Sequence, residues 1–100
     1  MNGERKIIWA PRAIKQFSTA IEYIRKESDQ NADLVKEKIL AKISYLSSRK
    51  TTHRKDVYRK NNDGHFHYFE LMNYRISYYA GDDDVIILRI RHVSMKPLYY

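Results

Sequence analysis

Cysteine is absent from this 100-residue chain, which excludes disulfides and thiolate metal sites and fits a reducing compartment. Stability must therefore come from burial alone, and a domain of this size removes roughly two thirds of its unfolded surface from water. Long apolar runs are missing too. No stretch approaches the ~18 residues that would read as a membrane span, and Glu4-Arg5-Lys6 is followed by only Ile7-Ile8-Trp9-Ala10, which is not a signal-peptide pattern. The expectation is a cytoplasmic protein without a membrane anchor. Proline is scarce: Pro11 and Pro97 are the two, and each falls where regular structure should begin or end. Acid is in short supply, with 12 Asp and Glu against 19 Lys and Arg, a net charge of +7 and a pI near 9.7. That imbalance favours a polyanionic partner, namely RNA, DNA or an acidic protein; the plainer alternative is a basic surface that serves solubility.

What is present organises into one domain over residues 1–100, with no repeat, low-complexity tract or linker. Ile7 to Ala10 reads as a short strand, and Pro11 stops it and opens a helix, where a missing N–H costs nothing. Ala13, Ile14, Phe17, Ala20, Ile21 and Ile24 recur at spacings of three and four, predicting an amphipathic helix to about Glu27. Ser28-Asp29-Gln30-Asn31 breaks it, with Asp29 or Asn31 expected to cap the next helix. A second stripe of Ala32, Val35, Ile39, Ile43 and Leu46 ends near Ser48. So short a connection makes the two helices an antiparallel hairpin. Residues 49–60 then hold Arg49, Lys50, Arg54, Lys55, Arg59 and Lys60 against one acid, Asp56. Asn61-Asn62-Asp63-Gly64 is a strong turn signal. Strands are predicted over His65–Leu71, Tyr74–Ala80 and Val85–His92, joined by Met72-Asn73 and by Gly81-Asp82-Asp83-Asp84. The expected fold is α+β, in the order β-α-α-β-β-β, with the helical hairpin packed on one face of a largely antiparallel four-stranded sheet. The first strand belongs at an edge, parallel or antiparallel.

Alternation sharpens the last hairpin. Tyr74, Ile76, Tyr78 and Ala80 share one face, leaving Arg75, Ser77 and Tyr79 on the other. In the final strand Ile86, Leu88 and Ile90 share the expected core face, and Val85, Ile87, Arg89 and Arg91 the opposite one. If the apolar faces coincide, Arg75, Arg89 and Arg91 project together as a cationic cluster on rigid elements.

Strand, helical hairpin, and then three strands containing YRISY and ILRIRH resemble the RelE/ParE superfamily, the toxins of type II toxin–antitoxin modules. The resemblance runs from Ile8 to Pro97. It implies a cognate acidic antitoxin that wraps the toxin and covers basic surface, and growth inhibition when the toxin is expressed alone. RelE-like members cut mRNA in the ribosomal A site, whereas ParE-like members act on DNA gyrase. The ending RIRHVSMKP looks more like the ParE side, so action on gyrase is the favoured expectation. The alternatives are a ribosome-dependent endoribonuclease, or a non-toxic binding module and co-repressor with its antitoxin.

Both branches bear on the candidate residues. Metal-free RNA cleavage needs a base for the 2′-OH, cations for the phosphorane and an acid for the leaving oxygen. If the nuclease branch applies, Arg75, Arg91, His92 and Glu70 are the candidates. Arg75 matches the family's third-strand arginine, which contacts the scissile phosphate in that branch; its structural reading is a cation bonding a neighbouring carboxylate. His92 serves as acid or base, or is a packed strand-end histidine on the core side. Glu70 matches a general base of some nucleases, or forms a cross-strand pair with Arg75. Lys55, Arg59, Lys60 and Arg89 are expected to contact nucleic acid or a partner, with Tyr58 available for stacking. Tyr99 and Tyr100 either fold back over the sheet or meet a partner. His53, His65 and His67 lack an evident third ligand, so neither a metal nor a cofactor is expected.

Overall fold

The computed structural model describes residues 4–48, 54–55 and 62–94. Strand β1 (Lys6–Trp9) leads through Ala10 into helix α1 (Pro11–Arg25). Ala10 is extended, at φ −63° and ψ 144°, as the residue before a proline must be, and Pro11 occupies the first helical turn. Helix α2 (Asp29–Ser44) follows and tightens into a 3-10 turn, Tyr45–Ser47. Its N-cap is Ser28, neither Asp29 nor Asn31: the Ser28 Oγ accepts the Asn31 N–H at 3.1 Å. Asp29 falls in the first turn, beside the partial positive charge of the helix N-terminus.

The sheet has five strands in the order β1-β5-β4-β3-β2. β3 is Phe66–Leu71, β4 Tyr74–Ala80 and β5 Asp84–His92. The strand not expected from sequence is β2, the two residues Arg54–Lys55 inside the basic segment, antiparallel to β3. β1 pairs with β5 in parallel, so the sheet is mixed, although its other pairings are antiparallel. Among the described residues no helix is long and apolar enough to cross a membrane.

Both helices cover one face of this sheet. The second stripe behaves as its spacing requires: Ala32, Val35, Ile39, Ile43 and Leu46 are all buried, against Phe69, Ile76, Tyr78, Val85, Ile87 and Ile90. In α1 the core residues are Ala13 and Ile21, with Phe17, Ala20 and Ile24 packed at the margin, while Ile14 stands 54% exposed.

Strand β5 departs from simple alternation. Its buried apolar residues are Val85, Ile87 and Ile90; Ile86 and Leu88 are half-buried. The cause is a bulge. Ser77 opposes Arg89 and Tyr78 opposes Ile87, so Leu88 has no partner of its own and the faces invert across it. The expected inward set of Ile86, Leu88 and Ile90 is therefore corrected to Val85, Ile87 and Ile90.

Two turns fix the hairpins. Met72 and Asn73, both at positive φ (53° and 70°), make the two-residue β3–β4 connection, whose backbone twist matches that of the flanking strands. Before β3, Asn62 folds the chain on itself: its Oδ1 accepts the N–H groups of Gly64 and Phe66, and its Nδ2 donates to the Phe66 carbonyl. Gly64, at φ +100°, supplies the left-handed step.

Candidate functional site

The sheet face turned away from the helices carries the predicted cluster. Cross-strand pairing sets its residues in rows. Glu70, Arg75 and Arg91 form one row across β3, β4 and β5, and Tyr68, Ser77 and Arg89 form the next. Beyond them lie Phe66, Tyr79, Ile86 and Ile8. The Leu88 bulge makes the arrangement possible: Ile87 and Ile90 enter the core while Arg89 and Arg91 keep to the open face.

Arg75 is the most constrained member. Its guanidinium lies 3.6 Å from the Tyr68 ring centroid, and its Nη1 donates to Glu70 Oε2 at 3.2 Å. The aromatic face attracts the cation and leaves the planar fork edge-on to the carboxylate. The Arg75 side chain is only 17% exposed, against 52% for Glu70. Ser77, beside Arg89 in the second row, is buried. Arg89 and Arg91 are half-buried, and each makes interactions of its own.

His92 stands apart from this cluster. It pairs across the strands with Tyr74, on the helix side of the sheet, and its ring meets Tyr74 edge-on at 5.2 Å. Its Nδ1 accepts the Ser94 N–H at 3.1 Å and lies 2.7 Å from Ser94 Oγ. The structure thus brings Glu70, Arg75, Arg89 and Arg91 to one face and puts the His92 ring on the other. Lys55 is exposed on β2, three strands from β5 or about 14 Å at ordinary strand spacing. Arg59, Lys60, Tyr99 and Tyr100 lie outside the described residues.

The remaining described histidines have structural partners. His65 Nδ1 is 2.8 Å from Asp63 Oδ1, a contact that holds the Asp63 carboxyl below the usual carboxylate range. His65 stacks on Tyr79 and His67 on Tyr78. Among the described residues no group of His, Cys, Asp and Glu could hold a metal ion.

Sequence reasoning missed Arg5. Its Nη2 donates to the carbonyls of Leu46 (2.9 Å) and Ser48 (3.0 Å), and its Nη1 reaches the Gly81 carbonyl at 3.5 Å. One guanidinium so ties β1 to the end of the 3-10 turn and to the β4–β5 loop. Nothing local in Glu4-Arg5-Lys6 marks the middle residue, although alternation with Ile7 and Trp9 places it on the helix side.

Comparison with known proteins agrees with this architecture. Among solved structures, the chromosomal ParDE toxin–antitoxin system from P. aeruginosa contains a chain that is similar at a TM-score of 0.69 and 14% identity, covering 92% of this chain and 99% of that one. At that identity the likeness speaks for the fold. No match was found among curated proteins. The family described as "ParE toxin of type II toxin-antitoxin system, parDE" matches residues 7–97, essentially the whole described fold. The chain belongs to the ParE toxin family of type II toxin–antitoxin systems.

Proposed function

We propose that this toxin inhibits growth by acting on DNA gyrase, and that a cognate acidic antitoxin neutralises it. One observation carries the choice of target. The cation suited to a scissile phosphate, Arg75, is bound to Glu70 and Tyr68 on the open face. The histidine that would supply or remove a proton sits on the helix side, with Nδ1 engaged by Ser94. General acid–base cleavage requires both groups within hydrogen-bond reach of one phosphodiester. A sheet between them argues for binding over cleavage. Glu70 supports the same reading, because its Oε2 accepts from Arg75 at 3.2 Å and so serves a cross-strand pair. The +7 charge and the arginine rows favour an acidic partner segment, whose approach is accelerated by the field.

Expression without antitoxin tests the proposal. Induction of the DNA-damage response with intact mRNA, together with loss of gyrase supercoiling by the purified chain, is the expected result. Site-specific cuts in ribosome-bound message, abolished by Arg75→Ala or Arg91→Ala, would instead establish the ribosome-dependent nuclease. Normal plating on expression alone would reduce the chain to a binding module.

A further inference from the structure

A groove of ≈ 570 Å³ runs between α1 and the distal half of β5, sharing Arg91 alone with the arginine rows that the proposed function uses. Strand β1 ends at Trp9, opposite Ile87, whereas β5 continues to His92, so the outer edge of β5 beyond Ile87 is bordered by α1. From the helix the groove takes Arg12, Lys15, Thr19 and Tyr23, one stripe at spacings of three and four. From the sheet it takes Tyr74, Arg91 and His92.

Its chemistry is one-sided. Among the described residues three cations line it and no carboxylate does. Gln16 spends its Oε1 on the Ile90 N–H at 2.8 Å and so turns its amide NH₂ away from the strand. His92 accepts the Ser94 N–H at Nδ1, which puts the proton of the neutral ring on Nε2 and makes that nitrogen a donor. A groove that offers three cations and two further N–H donors, alongside hydroxyls that donate or accept, suits a ligand rich in acceptors and negative charge.

The groove is also polarised along its length. Arg12 and Lys15 stand near the start of α1. Tyr23 lies about 12 Å further along, taking eight residues at the helical rise. Tyr23 is close enough to Tyr74 to oppose its ionisation, and His92 packs edge-on against Tyr74. One end therefore carries Arg12 and Lys15, and the other carries the aromatic rings with Arg91 beside His92. An added partner strand is disfavoured, because Gln16 already occupies the edge N–H such a strand would need. The volume falls in the range of small-molecule sites.

We infer that the α1–β5 groove binds a nucleoside phosphate, with the phosphates on Arg12 and Lys15 and the base at the Tyr23–Tyr74 end. The proposal does not rest on the toxin's target, and its test, which varies neither gyrase nor the shared Arg91, can fail without affecting that reading. The full chain is titrated by calorimetry and amide NMR with ADP, AMP, adenosine and inorganic phosphate. ADP is expected to bind, with shifts at Thr19, Tyr23, Ile90 and His92. Adenosine and phosphate alone should each be about tenfold weaker or worse, since each keeps one end of the contact. Lys15→Glu should weaken ADP about tenfold by reversing one charge-assisted contact, and Tyr23→Ala about fivefold by removing a stacking surface. Both residues are exposed, so a circular dichroism spectrum identical to the parent's should accompany the loss. Arg75→Ala, on the open face, should leave ADP affinity unchanged. The inference is overturned by the absence of binding at millimolar ADP, by phosphate alone binding as tightly as ADP, or by a loss that follows Arg75→Ala and not Lys15→Glu. Displacement of ADP by a hexaglutamate peptide of higher affinity would equally overturn it, reassigning the groove to acidic peptide.

Discussion

Arg75 shows how a charged side chain is held on a sheet without being buried among apolar atoms. Tyr68 supports the guanidinium from below and Glu70 fixes its edge at 3.2 Å. Because Glu70 is half exposed, the pair contributes little energy, and its value is geometric. Arg75→Ala is expected to cost about 0.5–2 kcal/mol, from a cross-strand pair of about 0.2–1 kcal/mol and a comparable ring contact. Urea denaturation monitored by circular dichroism should find the variant fully folded, which is what makes it usable in a functional assay. The alternation of YRISY and the short Met72-Asn73 connection made this pairing legible in the sequence. Met72 itself was not legible as a strained residue. A left-handed backbone costs a non-glycine residue about 1–2 kcal/mol, and asparagine least among them. Met72→Asn should therefore raise stability by about 0.5–1 kcal/mol, or some 4–8 °C in Tm per kcal/mol for a domain of this size. An unchanged or lowered Tm would mean that the Met72 side chain contributes packing that offsets its backbone cost.

Elements were read well where one periodicity governed and poorly where several signals coincided. In α2 and the 3-10 turn that ends it, the five predicted core positions are all buried, because they recur at the helical spacing. In β5, Val85-Ile86-Ile87-Leu88 is apolar at every position, so alternation alone cannot choose the inward set, and the bulge at Leu88 decides it. β2 was missed for the opposite reason. Arg54 and Lys55 carry no apolar signal, and backbone pairing with Tyr68 and His67 makes the strand. The cap was ambiguous because Ser28, Asp29 and Asn31 are all good N-cap residues, and the choice depends on where α1 releases the chain. Ser28→Ala should cost about 1 kcal/mol, the usual loss of an N-cap acceptor, seen as a lower urea midpoint at unchanged slope. Gln16 reports on contact between elements. Gln16→Ala removes the partner of the Ile90 N–H and should cost about 1–2 kcal/mol, the penalty for an unmet, partly buried donor. Amide exchange at Ile90 should accelerate beyond that at Ile87, whose neighbourhood β1 protects.

At the scale of the molecule, charge and burial divide between the two faces of one sheet. The open face and the short edge strands carry cations, which suits a polyanionic partner and discourages edge-to-edge pairing of copies. The helix face buries aromatic hydroxyls, and these couple stability to alkaline pH. Burial raises the Tyr78 phenol to about 12, partly countered by Arg5, and raises Tyr74 as well, with Tyr23 adding to the effect. An unfolded tyrosine ionises near pH 10. Below that value both states keep the phenolic proton and the groups exert no pH dependence. Between about pH 10 and 12 the unfolded chain has lost the proton that folded Tyr78 retains, so the unfolded state binds fewer protons and stability falls as pH rises. One such group gives a slope of at most about 1.4 kcal/mol per pH unit, and the slope ends as pH passes the folded value. Urea titrations at pH 8, 10, 11 and 11.5 should show a flat region followed by this decline. Tyr78→Phe should reduce the decline while Tyr74 sustains a remainder, and an equal slope in the variant would assign the alkaline sensitivity to other groups. Since Arg5 bonds the Leu46 and Ser48 carbonyls and lowers the Tyr78 value, Arg5→Met should lower stability at neutral pH and extend the decline to higher pH while its onset near pH 10 stays in place.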